Sequence, residues 1–107
     1  MLALLCFTGC VYSHKVVNVG SSDIYAVNVK SGKYTFGHGV LVPGGEAVYM
    51  GSMQIKKKPP PVITWKNDEH GEVMSQKAPI DRTPGTRDEV IFELDGTNVA
   101  TRIRRLD

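Results

Sequence analysis

The chain has no cysteine after its tenth residue, and its two cysteines, Cys6 and Cys10, stand four apart in the first ten positions. The rest of the chain has no thiol for a disulfide, a zinc finger or a nucleophile. Helical spacing of apolar residues is also missing from every window of about eleven residues, so no amphipathic helix is expected. Charge of one sign is not in excess. Thirteen Lys and Arg stand against eleven Asp and Glu, a net charge of +2, which is too even for the basic footprint of a general nucleic-acid binder. No Gly-x-Ser-x-Gly elbow occurs, the serines fall in turns, and Asp68-Glu69 reads as solvated turn charge. His14, His38 and His70 show none of the short pair spacings that put two metal ligands on one element. These absences predict a binding protein, not an enzyme, with no metal and no cofactor.

What the chain does have is a succession of short β-type runs. At 107 residues it makes one domain, able to bury about two-thirds of its unfolded surface. The most informative run is Pro59-Pro60-Pro61-Val62-Ile63-Thr64-Trp65-Lys66. Three prolines deliver the chain, stiff and extended, into a β-branched segment with the single tryptophan, which predicts a central strand with Ile63 and Trp65 on its core face. Lys15–Val19 and Ile24–Val29 are expected strands joined by turn formers, with Tyr25, Val27 and Val29 inward on the second. Tyr34 to Gly39 mixes aromatics with glycines and predicts an irregular edge or loop. Val40–Val42 and Glu46–Met50 are two short strands about Pro43-Gly44-Gly45, expected to be neighbours. Glu72–Lys77 is a weaker strand and 78–87 a surface loop. Glu89–Leu94 and Val99–Arg104 form a closing hairpin about Asp95-Gly96.

Seven or eight such strands at spacings of about 8 to 12 residues predict an all-β antiparallel sandwich, immunoglobulin-like or transthyretin-like. Its expected core is Val17, Val19, Val27, Val29, Ile63, Trp65, Val90, Phe92 and Leu94. Tyr34, Phe36, His38 and Tyr49 are the candidate contacts to a protein partner, because aromatics on glycine-rich or exposed segments supply binding hot spots at little entropic cost. Core packing is an equal reading for Tyr49. Lys56-Lys57-Lys58 and the arginines at 102, 104 and 105 read as solvated strand ends, with contact to anionic headgroups as the alternative.

Residues 1 to 10 are apolar, uncharged and too short to span a bilayer. Their end, Phe7-Thr8-Gly9-Cys10, resembles the processing box of bacterial lipoproteins, with Phe7 where leucine is usual and no basic residue before the apolar run. That resemblance implies a signal remnant at 1–9, lipidation of Cys10, a tether over 10–14 and a domain over 15–107. A buried N-terminal strand is the competing reading. With Val11 after the cysteine, the resemblance also implies the periplasmic face of a Gram-negative outer membrane. Gly9-Cys10, Val40-Leu41-Val42-Pro43-Gly44, Pro61 to Trp65 with its polar turn, and the Asp95-Gly96 hairpin together resemble small bacterial β-sandwich lipoproteins. Some of these are immunity proteins beside type VI secretion phospholipase effectors. The paired cysteines of some members are absent here. The resemblance implies a protein that binds and blocks a cognate secreted toxin, or else a structural or assembly lipoprotein of the envelope.

Overall fold

The computed structural model describes residues 11–106, and Cys10 with the proposed remnant at 1–9 lies outside them. Eight strands succeed one another in chain order: β1 (Tyr12–Asn18), β2 (Ile24–Ser31), β3 (Tyr34–Leu41), β4 (Glu46–Gly51), β5 (Val62–Lys66), β6 (Met74–Lys77), β7 (Asp88–Leu94) and β8 (Val99–Arg105). They form two four-stranded sheets, β4-β1-β7-β8 and β3-β2-β5-β6, that enclose one core. The all-β sandwich is thus as expected. Successive strands β1 and β2 lie in different sheets, whereas an immunoglobulin domain pairs its first two strands in one sheet. The order therefore leaves the transthyretin-like arrangement of the two expected. One ladder departs from antiparallel pairing: β1 runs parallel to β7, Val16 opposite Phe92 and Asn18 opposite Leu94.

The Pro-rich run enters β5 as anticipated, second from the edge between β2 and β6. Ile63 and Trp65 point into the core, 0% and 1% exposed. Trp65 resolves its one polar atom by donating Nε1–H to the Gly96 carbonyl at 3.0 Å, and Asn67 Nδ2 donates to the same oxygen at 2.8 Å. Two donors from one sheet thus hold the β7–β8 turn of the other. On β7, Val90, Phe92 and Leu94 are fully buried. Ile91, on the opposite face, is buried as well, flanked in register by Lys15 and Arg102, whose aliphatic stems suit a cover over it.

Several expectations need correction. Strand β1 starts at Tyr12, so residues 12–14 belong to the sheet and not to a tether, and its inward set is His14, Val16 and Asn18. Val17 lies on the other face and Val19 is 54% exposed beyond the strand end. The inward phase went to polar residues because each finds partners: Asn18 Nδ2 donates to the carbonyls of Ser22 and Leu41, both at 2.8 Å, and its Oδ1 accepts Gly20 N–H. Strand β2 buries Ile24 together with Val27 and Val29, while Tyr25 is half-buried. Strict alternation forbids that combination. The register shifts between Ile24 and Val27, and Ala26 takes a left-handed φ of 49°, so a bulge inserts one residue and turns Ile24 inward.

The segment 34–39 is no loop but the first part of β3, an edge strand eight residues long, as the edge half of that expectation had it. Its end at Val40-Leu41 does not pair with β4, although the two strands lie close across the sheets. The chain changes sheet through 42–45, and β4 pairs with β1. The 78–87 connection has no strand, yet Ala78, Ile80 and Pro84 are buried. It is pinned by Asp88, whose carboxylate accepts two bonds from Arg82, at 2.6 and 2.9 Å, and one from Gly85 N–H at 2.8 Å. The Arg82 bonds first, then the Gly85 N–H, lower the Asp88 pKa to about 2.

Two substitutions of opposite sign test this packing in urea unfolding curves. Trp65→Ala removes the largest core side chain and orphans its bond, and is expected to cost about 3–5 kcal/mol. Ala26→Gly relieves a left-handed backbone that alanine adopts at a cost, and is expected to stabilise by about 1 kcal/mol; destabilisation by glycine would mean that the bulge carries no strain.

Candidate functional site

The open side of the sandwich is where β3 and β4, the edge strands of the two sheets, come together. Between them lies a cluster of rings. His14 on β1 stacks on Tyr49 of β4 at 5.2 Å and meets the edges of Phe36 and Phe92 at 4.9 and 6.0 Å. Phe36 and Tyr49 close the cluster at 4.6 Å. His14 Nε2 faces His38 Nε2 at 2.9 Å, a hydrogen bond that links the two sheets.

Each part of this cluster has a local cause. In β3, Gly37 and Gly39 flank His38, and Gly39 has φ +67°, where an L side chain would be strained. In β4, the Tyr49 ring folds over Gly51, where a β-carbon would collide with the phenol, and the phenol oxygen accepts Met53 N–H at 3.1 Å. Two neutral imidazoles can share an Nε2–Nε2 bond only if one carries its proton at Nε2 and the other at Nδ1. Both rings are held in that neutral form. Burial first, and the facing His38 second, push the His14 pKa from about 6.5 down to about 3, and burial lowers that of His38 as well. No three His, Cys, Asp or Glu side chains among the described residues gather in a way that could hold a metal ion.

The cluster therefore unites three of the four candidate contacts, Phe36, His38 and Tyr49, around a histidine that the sequence placed in a tether. It also changes their role. Phe36 is 7% exposed and belongs to the core, so it is corrected from surface contact to packing residue. Tyr49 is half-buried against the same core, and His38 likewise reaches partly to solvent. Tyr34 stands apart, exposed at the start of β3 with the Lys33 ammonium 5.6 Å over its ring.

What the sequence did not reveal is the surface around the cluster. Val40 is 55% exposed on β3, Val48 and Met50 are 52% and 70% exposed on β4, and Val42 and Met53 are exposed just beyond the strands. Edge strands usually carry charge, proline or brevity against unwanted pairing. The other two edges do: β6 has four residues including Lys77, and β8 carries Arg102, Arg104 and Arg105. By contrast β3 has no Asp, Glu, Lys or Arg in eight residues, and β4 has Glu46 alone. The available signal was that lack of charge from Tyr34 to Leu41.

No protein-family model matches the chain, and no curated protein sequence matches it. A similar solved structure is the NMR structure of a protein from Eubacterium rectale, which aligns over 89% of both chains with a TM-score of 0.59 and 13% identity. At that identity the likeness concerns the fold.

The histidine pair sets an acid limit on stability. The unfolded chain takes up a proton at His14 below about pH 6.5, while the folded chain holds that ring neutral until about pH 3, so stability is full above the unfolded value and falls as pH drops through it. A loss of about 2–3 kcal/mol is expected between pH 7 and 4.5 from this one group. The window of Asp88 lies lower, below about pH 4. Urea curves of the native chain and His14→Phe read this directly, the variant losing most of the slope. An imidazole signal of His14 titrating near pH 6.5 by NMR would refute it.

Proposed function

We propose that this domain is a protein-binding module of the bacterial envelope that captures its partner along the β3–β4 side. The observation that supports the reading is the pair of edges, with Glu46 their one charged residue, ringed by Val40, Val42, Val48, Met50 and Met53. Edges of this kind accept an added strand, the main chain supplying affinity and the flanking apolar side chains specificity. The ring cluster behind them stiffens both edges, which lowers the ordering cost of binding. His38 offers the partner a polar handle, and Tyr34 an aromatic contact at the start of β3.

The partner in this proposal is a secreted antibacterial toxin of phospholipase type, which the domain would block as an immunity protein. Support for that identity comes from the resemblance to small lipoproteins. The same resemblance supports lipidation at Cys10 and residence in the periplasm at the outer membrane. Strand β1 begins two residues after Cys10, so an anchored domain would sit directly on its membrane. A structural or assembly lipoprotein of the envelope is the alternative function.

Co-purification with the product of the neighbouring gene, joined to rescue of cells that express it, tests the proposal. An immunity protein gives a stoichiometric complex and protection, whereas envelope machinery in the pull-down favours the assembly role. Val48→Lys with Met50→Lys is expected to weaken the complex about thirtyfold or more, the scale of losing a hot spot, with an unchanged thermal melt. A partner that binds this double variant normally would move the interface elsewhere. Mass spectrometry of the membrane fraction is expected to show acylated Cys10 as the first residue.

A further inference from the structure

Strand direction sorts the charges of this domain to opposite ends. Three connections, 32–33, 52–61 and 78–87, lie at the end where β1 begins, as Tyr12 opposite Gly51, Ser31 opposite Tyr34 and Val62 opposite Lys77 place them. They carry Lys33, Lys56, Lys57, Lys58, Arg82 and Arg87 against Asp81 alone. The four connections at the other end, 19–23, 42–45, 67–73 and 95–98, carry Asp23, Asp68, Glu69, Glu72 and Asp95 and no Lys or Arg. A nearly balanced chain thus folds into a body with one basic and one acidic end.

The basic end has a cleft of about 330 Å³ whose lining includes Ser31, Lys33, Gln54, Lys56 and Lys58. No carboxylate among the described residues lies within 4.0 Å of the ammonium groups of Lys33, Lys56, Lys57 or Lys58, whereas Lys15, Arg82 and Arg104 all have acidic partners. Ser31 is 3% exposed; its oxygen accepts Lys56 N–H at 3.3 Å, which leaves the hydroxyl proton with no acceptor among the described residues. The Gln54 amide is taken up by the Pro84 carbonyl at 2.6 Å, but ammonium groups without a carboxylate around a buried hydroxyl donor are complementary to a phosphate group, which offers several acceptor oxygens and one or two negative charges.

We propose that this cleft and the lysines around it bind the phosphate headgroup of anionic lipids, so that the domain rests basic end down on a membrane. The orientation, though not the site, rests on the anchored reading, since β1 begins at this end, two residues after Cys10. Charge segregation then adds to it, because the acidic end is repelled by the same surface. The β3–β4 side runs along the strands and stays open to a partner, apart from Tyr34, which lines the cleft.

The test uses the full chain with Cys10→Ser, so that no acyl group contributes, whether or not the native cysteine is lipidated. It is expected to sediment with vesicles of phosphatidylcholine and phosphatidylglycerol, to ignore pure phosphatidylcholine, and to be released by salt. Lys56→Gln, Lys57→Gln and Lys58→Gln together should lower the partition about a hundredfold, at about 1 kcal/mol for each basic residue near the surface. Asp68→Asn, Glu69→Gln and Glu72→Gln together raise the net charge by the same three units at the far end and should leave it unchanged. Glycerol phosphate that shifts the Ser31–Tyr34 amides and displaces vesicles marks a phosphate taken from solution as well. Vesicle binding without that response assigns the headgroup within the bilayer. Equal binding to both vesicle types, or partition that follows net charge in both triple variants, overturns the proposal.

Discussion

A buried asparagine carries the geometry of this sandwich. At Asn18 the chain leaves one sheet for the other, and close by, between Leu41 and Glu46, it crosses back. The Asn18 side chain spans both crossings, donating to Ser22 and Leu41 and accepting from Gly20. Its backbone accepts Gly44 N–H at 2.8 Å and donates to Gly45 at 2.9 Å. No apolar residue could serve, since the carbonyls of Ser22 and Leu41 would be left without these bonds, each worth about 1–3 kcal/mol when lost in the interior. Packing there is close enough to need Gly20, where a β-carbon would lie 2.7 Å from the Asp95 oxygen. The β1–β2 and β7–β8 turns consequently pack against each other, and Trp65 and Asn67 hold the second of them from the opposite sheet.

The Trp65 strand was legible because several signals agreed there: prolines before it, β-branched neighbours, one large aromatic and a polar turn after it. The β7–β8 hairpin was legible for the same reason. Strand β1 was not. Its two faces offered Val16 on one side and Val17 with Val19 on the other, and hydrophobicity favoured the wrong one, because nothing local shows that Asn18 and His14 will find partners brought from distant segments. The bulge in β2 left no trace either, since alanine has no preference for the left-handed region that Ala26 occupies.

The candidate site was legible in part. Phe36, His38 and Tyr49 do meet, but only the fold shows that they meet inside and that His14 joins them. The apolar surface outside them comes from residues that alternation had assigned to ordinary strands. The charge segregation was beyond reach of sequence alone, because Lys56 and Glu69 are distinguished by the direction of the strands they succeed, and direction is a property of the folded sheets. The composition's near neutrality concealed it.

The parallel ladder between β1 and β7 has a bearing on how the domain assembles. All strands of the β3-β2-β5-β6 sheet come from residues 24–77, whereas the centre of the other sheet joins residues 12–18 to residues 88–94. Closing so long a segment of chain costs entropy before any contact rewards it. One sheet can therefore gather from a continuous segment, while the other waits for the last fifth of the chain. A polypeptide emerging from a ribosome can offer β1 only β4 as a neighbour until β7 has cleared the exit. Strand β1 is thus flanked on both sides only when nearly the whole chain is out.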